Sequence, residues 1–228
     1  GGAAETGALD GAPPLLRWTQ APGLQRRGPG TGGACLVATS GSGQRGAKLV
    51  AYRWDACAEQ ARATAARTLR DAAALGGAGA IRFIAASNIG HAYNLNGMFS
   101  ALEAGAELCV PRTAAELAES LAAPALPDGG ATVLFATPAM YEALLQEEAV
   151  RSGRVAPDLE GARARTFAFS AGCPLPGAVR LAVARRLGLE VLQNYGSSET
   201  GNIALQDVAD ARSAASLRAA VEGGAGAD

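Results

Sequence analysis

Between Ile81 and Leu192, short apolar runs alternate with segments of helical pattern, and this alternation constrains the fold more than any other property of the chain. The runs Ile81 to Ala86, Leu108 to Val110, Thr132 to Phe135, Phe167 to Ser170 and Leu189 to Leu192 are too short for helices and too apolar for loops. Each reads as a buried strand. The stretches between them carry helix signals. Thr113-Ala-Ala-Glu116 is a capping box. Thr137-Pro138 sets an N-cap before proline at the first helical position, and Tyr141, Leu144 and Leu145 follow as an apolar stripe. Leu95, Met98, Phe99 and Leu102 mark the apolar face of another helix, ended by Gly105. A further helix runs from about Pro176 to Leu187 and stops at Gly188. Units of this length predict an α/β fold with a largely parallel sheet flanked by helices.

In such a sheet, ligands sit beyond the carboxyl ends of the strands. Polar residues concentrate there in this chain. Ala34 to Thr39 reads as one more buried strand, delivering the chain into Thr39-Ser40-Gly41-Ser42-Gly43-Gln44-Arg45-Gly46-Ala47-Lys48. Asp55 is the expected N-cap of an Ala-rich helix reaching Leu75. Ser87, Asn88, Gly90 and His91 follow the strand ending at Ala86, and Ala171-Gly172-Cys173-Pro174 follows Ser170. The loop Asn194-Tyr195-Gly196-Ser197-Ser198-Glu199-Thr200-Gly201 follows Leu192. The four loops are expected to converge on one cleft.

The chemistry they offer points to a nucleotide. The Thr39 to Lys48 loop combines open backbone N–H groups, three hydroxyls and two cations, which suits a polyphosphate. The Tyr195 to Gly201 stretch places a ring, three hydroxyls and the Glu199 carboxylate where a purine, a phosphate and a divalent cation can meet. Gly41 to Gly46 also satisfies G-x-G-x-x-G. A nicotinamide-dependent oxidoreductase needs a second strand ending in an acid about 20 residues on, and here that region is the interior of the Ala-rich helix. That reading ranks last. Ala47 between Gly46 and Lys48 breaks the Walker pattern, and no G-x-S-x-G elbow is present. Any Ser-His-Asp machinery would depend on the single histidine, His91.

Other classes are excluded by composition. A formal net charge of −1 without Lys/Arg blocks speaks against nucleic acid or an anionic membrane as partner. No apolar run approaches the roughly 18 residues of a membrane span, and no signal-peptide order opens the chain, so a soluble cytoplasmic protein is expected. Cys35, Cys57, Cys109 and Cys173 form no C-x-x-C pair and are expected to be buried free thiols, Cys173 a packing residue. Residues 1–33 read as a loosely structured Gly/Pro-rich entry segment, 34–205 as one undivided domain, and 206–228 as an Ala/Gly-rich tail.

Taken in order, Thr39 to Lys48, His91-Ala-Tyr-Asn-Leu-Asn-Gly97, Ala131 to Pro138, Ser170 to Pro176 and Tyr195 to Gly201 resemble the motifs of the acyl-adenylate-forming (AMP-binding) superfamily. Its members are acyl-CoA synthetases, adenylation domains of nonribosomal peptide synthetases, and luciferases. The resemblance covers Ala34 to Leu205 and implies the central part of the family's large N-terminal domain. It implies an acid-thiol ligase that activates a carboxylic acid with ATP and Mg²⁺ to an acyl-adenylate. The acyl group would then pass to the thiol of CoA or of a phosphopantetheinyl carrier protein.

The resemblance also implies residue roles. Thr39, Ser40, Gly41, Ser42, Gly43 and Lys48 would close over the β- and γ-phosphates. Ser170, Ala171 and Gly172 would line the adenine and acyl pockets, and Asn194, Tyr195, Gly196 and Ser197 would join the nucleotide site with Tyr195 against adenine. Thr200 would bond a phosphate oxygen, Glu199 would hold Mg²⁺, and His91 would stand where the acid enters. No general base is needed, because a carboxylate is already ionised at pH 7. The chain departs from the family in a phosphate loop one residue longer than TSGTTGxPK and in Asn94, where the family usually has glycine. Neither the ribose-binding aspartate motif nor the C-terminal lysine-bearing domain is found. The chain alone is therefore expected to be weak or inactive, and the alternative is a non-catalytic nucleotide- or protein-binding module of the same fold.

Overall fold

A computed structural model describes residues 34–38, 49–74, 80–124, 126, 130–155 and 165–206. The expected entry segment and the expected tail beyond Gln206 lie outside the described residues, as does the whole Thr39 to Lys48 loop. Strands β1 (Ala34–Ala38) and β2 (Leu49–Arg53) pair antiparallel as a separate two-stranded sheet, with Cys35 opposite Tyr52. Helix α1 (Trp54–Ala74) follows directly. Then come β3 (Ile81–Ala86), α2 (Ala92–Glu103), β4 (Glu107–Cys109), α3 (Ala114–Ala122), β5 (Ala131–Ala136), α4 (Pro138–Gln146), α5 (Glu148–Arg151), β6 (Thr166–Ser170), α6 (Gly177–Leu187), β7 (Val191–Ser197) and β8 (Gly201–Leu205).

The main sheet has the order β4-β3-β5-β6-β7-β8, parallel throughout except for the antiparallel pair β7–β8. This is the α/β architecture that the alternating pattern requires. Side-chain alternation along each strand divides the core in two. Ile84, Leu134, Ala136, Ala168 and Val191 face a cluster completed by Leu117 of α3, Tyr141 and Leu144 of α4, and Val183 and Leu187 of α6. Phe83, Val133, Phe135, Phe169 and Leu192 face the other side, where Ala101 of α2 packs. Burying each large aliphatic or aromatic side chain contributes about 1.5–3 kcal/mol. The signals at Thr113 and Thr137 act as expected, whereas Asp55, expected as an N-cap, lies inside the first turn of α1, which already begins at Trp54. Thr113 accepts from the Glu116 N–H at 3.1 Å while the Glu116 carboxylate accepts from the Arg112 N–H at 2.7 Å, and Thr137 caps α4 through the Met140 N–H at 3.4 Å.

Three expectations fail. The run at Ala34 does not join the main sheet: Val37 is buried, but Leu36 is 62% exposed, because a two-stranded hairpin has only one face against α1. The face of α2 that goes deepest is not the one bearing Leu102, which is 45% exposed. Its buried residues include Asn94, Asn96, Gly97 and Ser100. The reason is closeness of approach, since a Cβ at Gly97 would stand 2.7 Å from Phe135 Cδ2. Larger apolar residues of α2 turn sideways, and Phe99 meets Trp54 edge to face at 5.9 Å. Finally, Asn194 to Ser197 is not loop. It continues β7, turns at Ser198 to Thr200 and returns as β8, a strand absent from the sequence reading.

Candidate functional site

Strands β3, β5, β6 and β7 lie side by side, so their carboxyl ends bring four segments of distant sequence together. The chain runs from β3 through α2 to the edge strand β4, and then returns to place β5 on the other side of β3. That reversal opens a crevice at the carboxyl edge, where ligands bind in open α/β sheets. A cleft of about 320 Å³ occupies it. Ser87, His91, Ala92 and Tyr93 line it from beyond β3, and Thr137, Pro138 and Ala139 from beyond β5. Ala171, Gly172 and Cys173 enter from β6, and Gly196, Ser197, Ser198, Gly201 and Asn202 from the β7–β8 hairpin.

Five of the residues to which the resemblance gives a role therefore meet in one cleft: His91, Ala171, Gly172, Gly196 and Ser197. His91 is exposed and occupies the N-cap position of α2 (φ −91°, ψ 141°) without a side-chain cap bond. Gly172 holds φ +94°, and a Cβ there would come no nearer than 4.0 Å to Thr137 Cγ2, so bare backbone faces the opening. The N-termini of α2 and α4 both reach the cleft, and their macrodipoles favour an anion there. Among the described residues, Ser87 Oγ and Ser170 Oγ are buried with no hydrogen-bond partner. Ser170 itself lies wholly inside.

Other sequence-derived residues stand around the cleft without lining it. Asn194 is buried and donates to Asn202 Oδ1 at 3.1 Å. Tyr195 is 69% exposed. Glu199 and Thr200 form the exposed tip of the hairpin. The tip is ordered by reciprocal bonds: Ser197 Oγ accepts from the N–H groups of Glu199 and Thr200 at 3.1 and 3.2 Å, and Thr200 Oγ1 accepts from the Ser197 N–H at 3.2 Å. Hydroxyls read as ligand groups thus also serve the turn. Thr39, Ser40, Gly41, Ser42, Gly43 and Lys48 lie outside the described residues. Asn94 is fully buried, and its amide donates to the Ser87 carbonyl at 2.6 Å, bracing the loop that leads to His91.

Sequence reasoning missed the residues that hold this assembly. Tyr52 of β2 donates its phenol to the carbonyl of Ser198, and burial raises its pKa above the usual tyrosine value. Gln60 of α1 donates to the carbonyls of Thr200 and Asn202 and accepts from the Asn202 N–H. Inside an alanine-rich helix, neither spacing nor composition sets Gln60 apart. Cys173 is exposed at the cleft rather than packed inside, while Cys57 and Cys109 are buried as expected and Cys35 partly so.

Among the described residues no three His, Cys, Asp or Glu side chains gather to hold a metal. Mg²⁺ typically takes one or two carboxylates, leaving its other positions to phosphate and water. Glu199, the acid at the hairpin tip, fits that pattern. No described helix is long and apolar enough to cross a membrane.

Comparison with known proteins agrees with this geometry. The family model for AMP-binding enzymes matches residues 34–221. Among curated proteins, none matches the sequence. The fold is similar to the inhibitor-bound N-terminal domain of FACL13 from Mycobacterium tuberculosis, with 18% identity and a TM-score of 0.59 over 83% of this chain and 44% of that one. It is similar also to a malonyl-CoA ligase in ternary product complex with methylmalonyl-CoA and AMP, with 22% identity and a TM-score of 0.56 over 75% and 34%. ATP-bound MatB from Rhodopseudomonas palustris gives 18% identity and a TM-score of 0.54 over 75% and 30%. The chain thus spans less than half the length of these structures.

Proposed function

The chain belongs to the AMP-binding enzyme family, and from that premise we propose that it forms the nucleotide- and acid-binding core of a ligase that activates a carboxylic acid with ATP. The observation that carries the proposal is the cleft at the β3/β5 reversal, where His91, Gly172, Gly196 and Ser197 arrive from three separate motif segments. In this reading the carboxylic acid enters past His91 and its carboxylate, ionised at neutral pH, attacks the α-phosphate as pyrophosphate leaves. The backbone at Gly172 lies close to the nucleotide. The exposed ring of Tyr195 covers the adenine, and Thr200 contacts a phosphate oxygen.

Glu199 would hold Mg²⁺ through its carboxylate, and the cation would supply neutralisation of phosphate charge. The N-termini of α2 and α4 add fixed positive potential where negative charge accumulates. Residues Thr39 to Lys48 are assigned the β- and γ-phosphates. Their flanking strands belong to a hairpin that Tyr52 anchors at the Ser198 turn, beside Glu199. The acyl acceptor is assigned as CoA, in line with the methylmalonyl-CoA bound in the complex of the malonyl-CoA ligase neighbour.

The test is ATP–pyrophosphate exchange with a panel of carboxylic acids, on this chain and on its longest native form. Acid-dependent exchange by either supports the ligase reading. Nucleotide binding with no exchange for any acid by either form assigns the fold to a non-catalytic binding module instead.

A further inference from the structure

The hairpin tip that carries Glu199 and Thr200 is exposed, and a turn of this kind has little packing of its own to fix its direction. Beyond its own Ser197 and Thr200 bonds, it is held by groups from outside the main sheet. Gln60, on the second turn of α1, aligns its side-chain amide with the backbone of residue 202: Nε2 donates to the Asn202 carbonyl at 3.1 Å while Oε1 accepts from the Asn202 N–H at 2.9 Å. The same Nε2 donates to the Thr200 carbonyl at 3.0 Å. A primary amide offers one acceptor and two donors in a plane, so it can satisfy a strand edge as a neighbouring strand would. Gly201 between these points has φ +68°, and a Cβ there would lie 2.3 Å from Gln60 Oε1. The absent side chain is what lets the amide approach. Tyr52 completes the hold at the other end of the turn through the Ser198 carbonyl.

We propose that Gln60 is a positioning residue: its amide, seated against Gly201, fixes the turn from Ser198 to Asn202 and so aims Glu199 at the metal–phosphate end of the cleft. Gln60 touches no reacting atom in this assignment. The inference rests on the ligase reading for what Glu199 does, and on the hydrogen bonds alone for what Gln60 does.

The experiment has two arms. Native-state amide exchange compares the intact chain with Gln60→Leu and Gln60→Glu, the latter keeping the acceptor for the Asn202 N–H and losing both donated bonds. The Asn202 amide is expected to exchange about tenfold faster in Gln60→Leu, less so in Gln60→Glu, with β3 and β5 unchanged. The second arm measures the Mg²⁺ dependence of ATP–pyrophosphate exchange in each variant that retains wild-type protection in β3 and β5. Half-saturating Mg²⁺ is expected to rise several-fold while KM for the acid stays put. Unaltered exchange at Asn202 in both variants overturns the hold on the turn. Faster exchange with unaltered Mg²⁺ dependence overturns its role in aiming Glu199. Absence of pyrophosphate exchange in the wild-type protein, both as this chain and in its longest native form, defeats the ligase reading separately, and the amide arm still decides whether Gln60 holds the turn.

Discussion

Tyr93 and Tyr141 reach from helices on opposite faces of the main sheet to the same acceptor, the carbonyl oxygen of Phe169, at 3.1 and 3.0 Å. Phe169 is the penultimate residue of β6, directly before the loop that brings Gly172 to the cleft. The Tyr93 ring stacks on Phe135 at 5.0 Å, and Phe135 meets Phe169 edge to face at 5.5 Å. One carbonyl with two lone pairs thus ties both layers of helices to the strand end from which the central cleft loop departs.

Removing either phenol alone leaves that carbonyl with one side-chain donor. Tyr93→Phe and Tyr141→Phe are each expected to lower stability by about 1 kcal/mol, and the double variant by more than the sum, because the buried oxygen then has neither side-chain donor. Urea unfolding of the four proteins in a double-mutant cycle measures the coupling. A coupling of zero would mean that the two bonds act independently.

The same two phenols predict an alkaline limit. Burial raises both pKa values above the ordinary tyrosine value of 10.0. The folded state therefore binds these protons more tightly than the unfolded chain. Stability is fully present below about pH 10 and falls as the pH rises beyond it, by as much as about 2.7 kcal/mol per pH unit for two such groups. Tyrosinate absorbance from Tyr93 and Tyr141 is expected to appear together with loss of near-ultraviolet circular dichroism. Titration of these two phenols while the fold persists would refute the assignment.

Gly201→Ala is expected to cost more than Gly172→Ala. At Gly172 the added methyl meets only an ordinary contact with Thr137 Cγ2 at 4.0 Å, so only the left-handed backbone is penalised, by about 1–2 kcal/mol. At Gly201 the same kind of penalty is joined by collision with the Gln60 amide. Denaturant midpoints for the two variants rank them. Equal destabilisation would show that Gln60 moves aside without cost.

Glu199→Ala tests the metal assignment in a background where folding is not at stake, because the side chain projects from an exposed turn. Acid-dependent pyrophosphate exchange is expected to fall by about a hundredfold or more, with the melting temperature unchanged within about 2 °C. Activity retained in this variant would remove Glu199 from the metal site.

Cys173 should react ahead of the buried thiols. Cys173 is exposed at the cleft, whereas Cys109 is buried and its thiol is raised to about 11, first by desolvation and then by Glu107. Brief maleimide treatment near pH 7, followed by peptide mapping, should label Cys173 at least about tenfold faster than Cys57 or Cys109. ATP together with an acid substrate should slow the labelling of Cys173 if the cleft is the site proposed. Labelling that ignores saturating ligand would place that ligand elsewhere.

The layout of elements was legible because its signals are local. Caps at Thr113 and Thr137, the stop at Gly188 and the apolar runs of β3, β5 and β6 each report a preference decided within a few residues. The misread segments were those whose fate depends on a distant partner. Ala34 to Ala38 has the composition of an interior strand and becomes a hairpin because its neighbour is β2. Tyr195 to Ser197 has the composition of a loop and becomes strand because β8 returns alongside it. On α2 the apolar stripe yields the inner face to Asn94, Asn96 and Gly97, since the helix presses close enough to Phe135 that only small or hydrogen-bonded residues fit.

By itself, the sequence determined that strands and helices alternate, that polar residues gather after the strands, and that their order is that of the AMP-binding family. Hydrophobic periodicity and residue chemistry are properties of the chain before it folds. Only the tertiary structure decided that β3, β5, β6 and β7 stand adjacent, which converts separated motifs into one cleft. It alone made Gln60 a partner for Asn202, 142 positions away. A hydrogen bond across that distance leaves no trace in spacing, because it exists only once the sheet has brought α1 and the hairpin together.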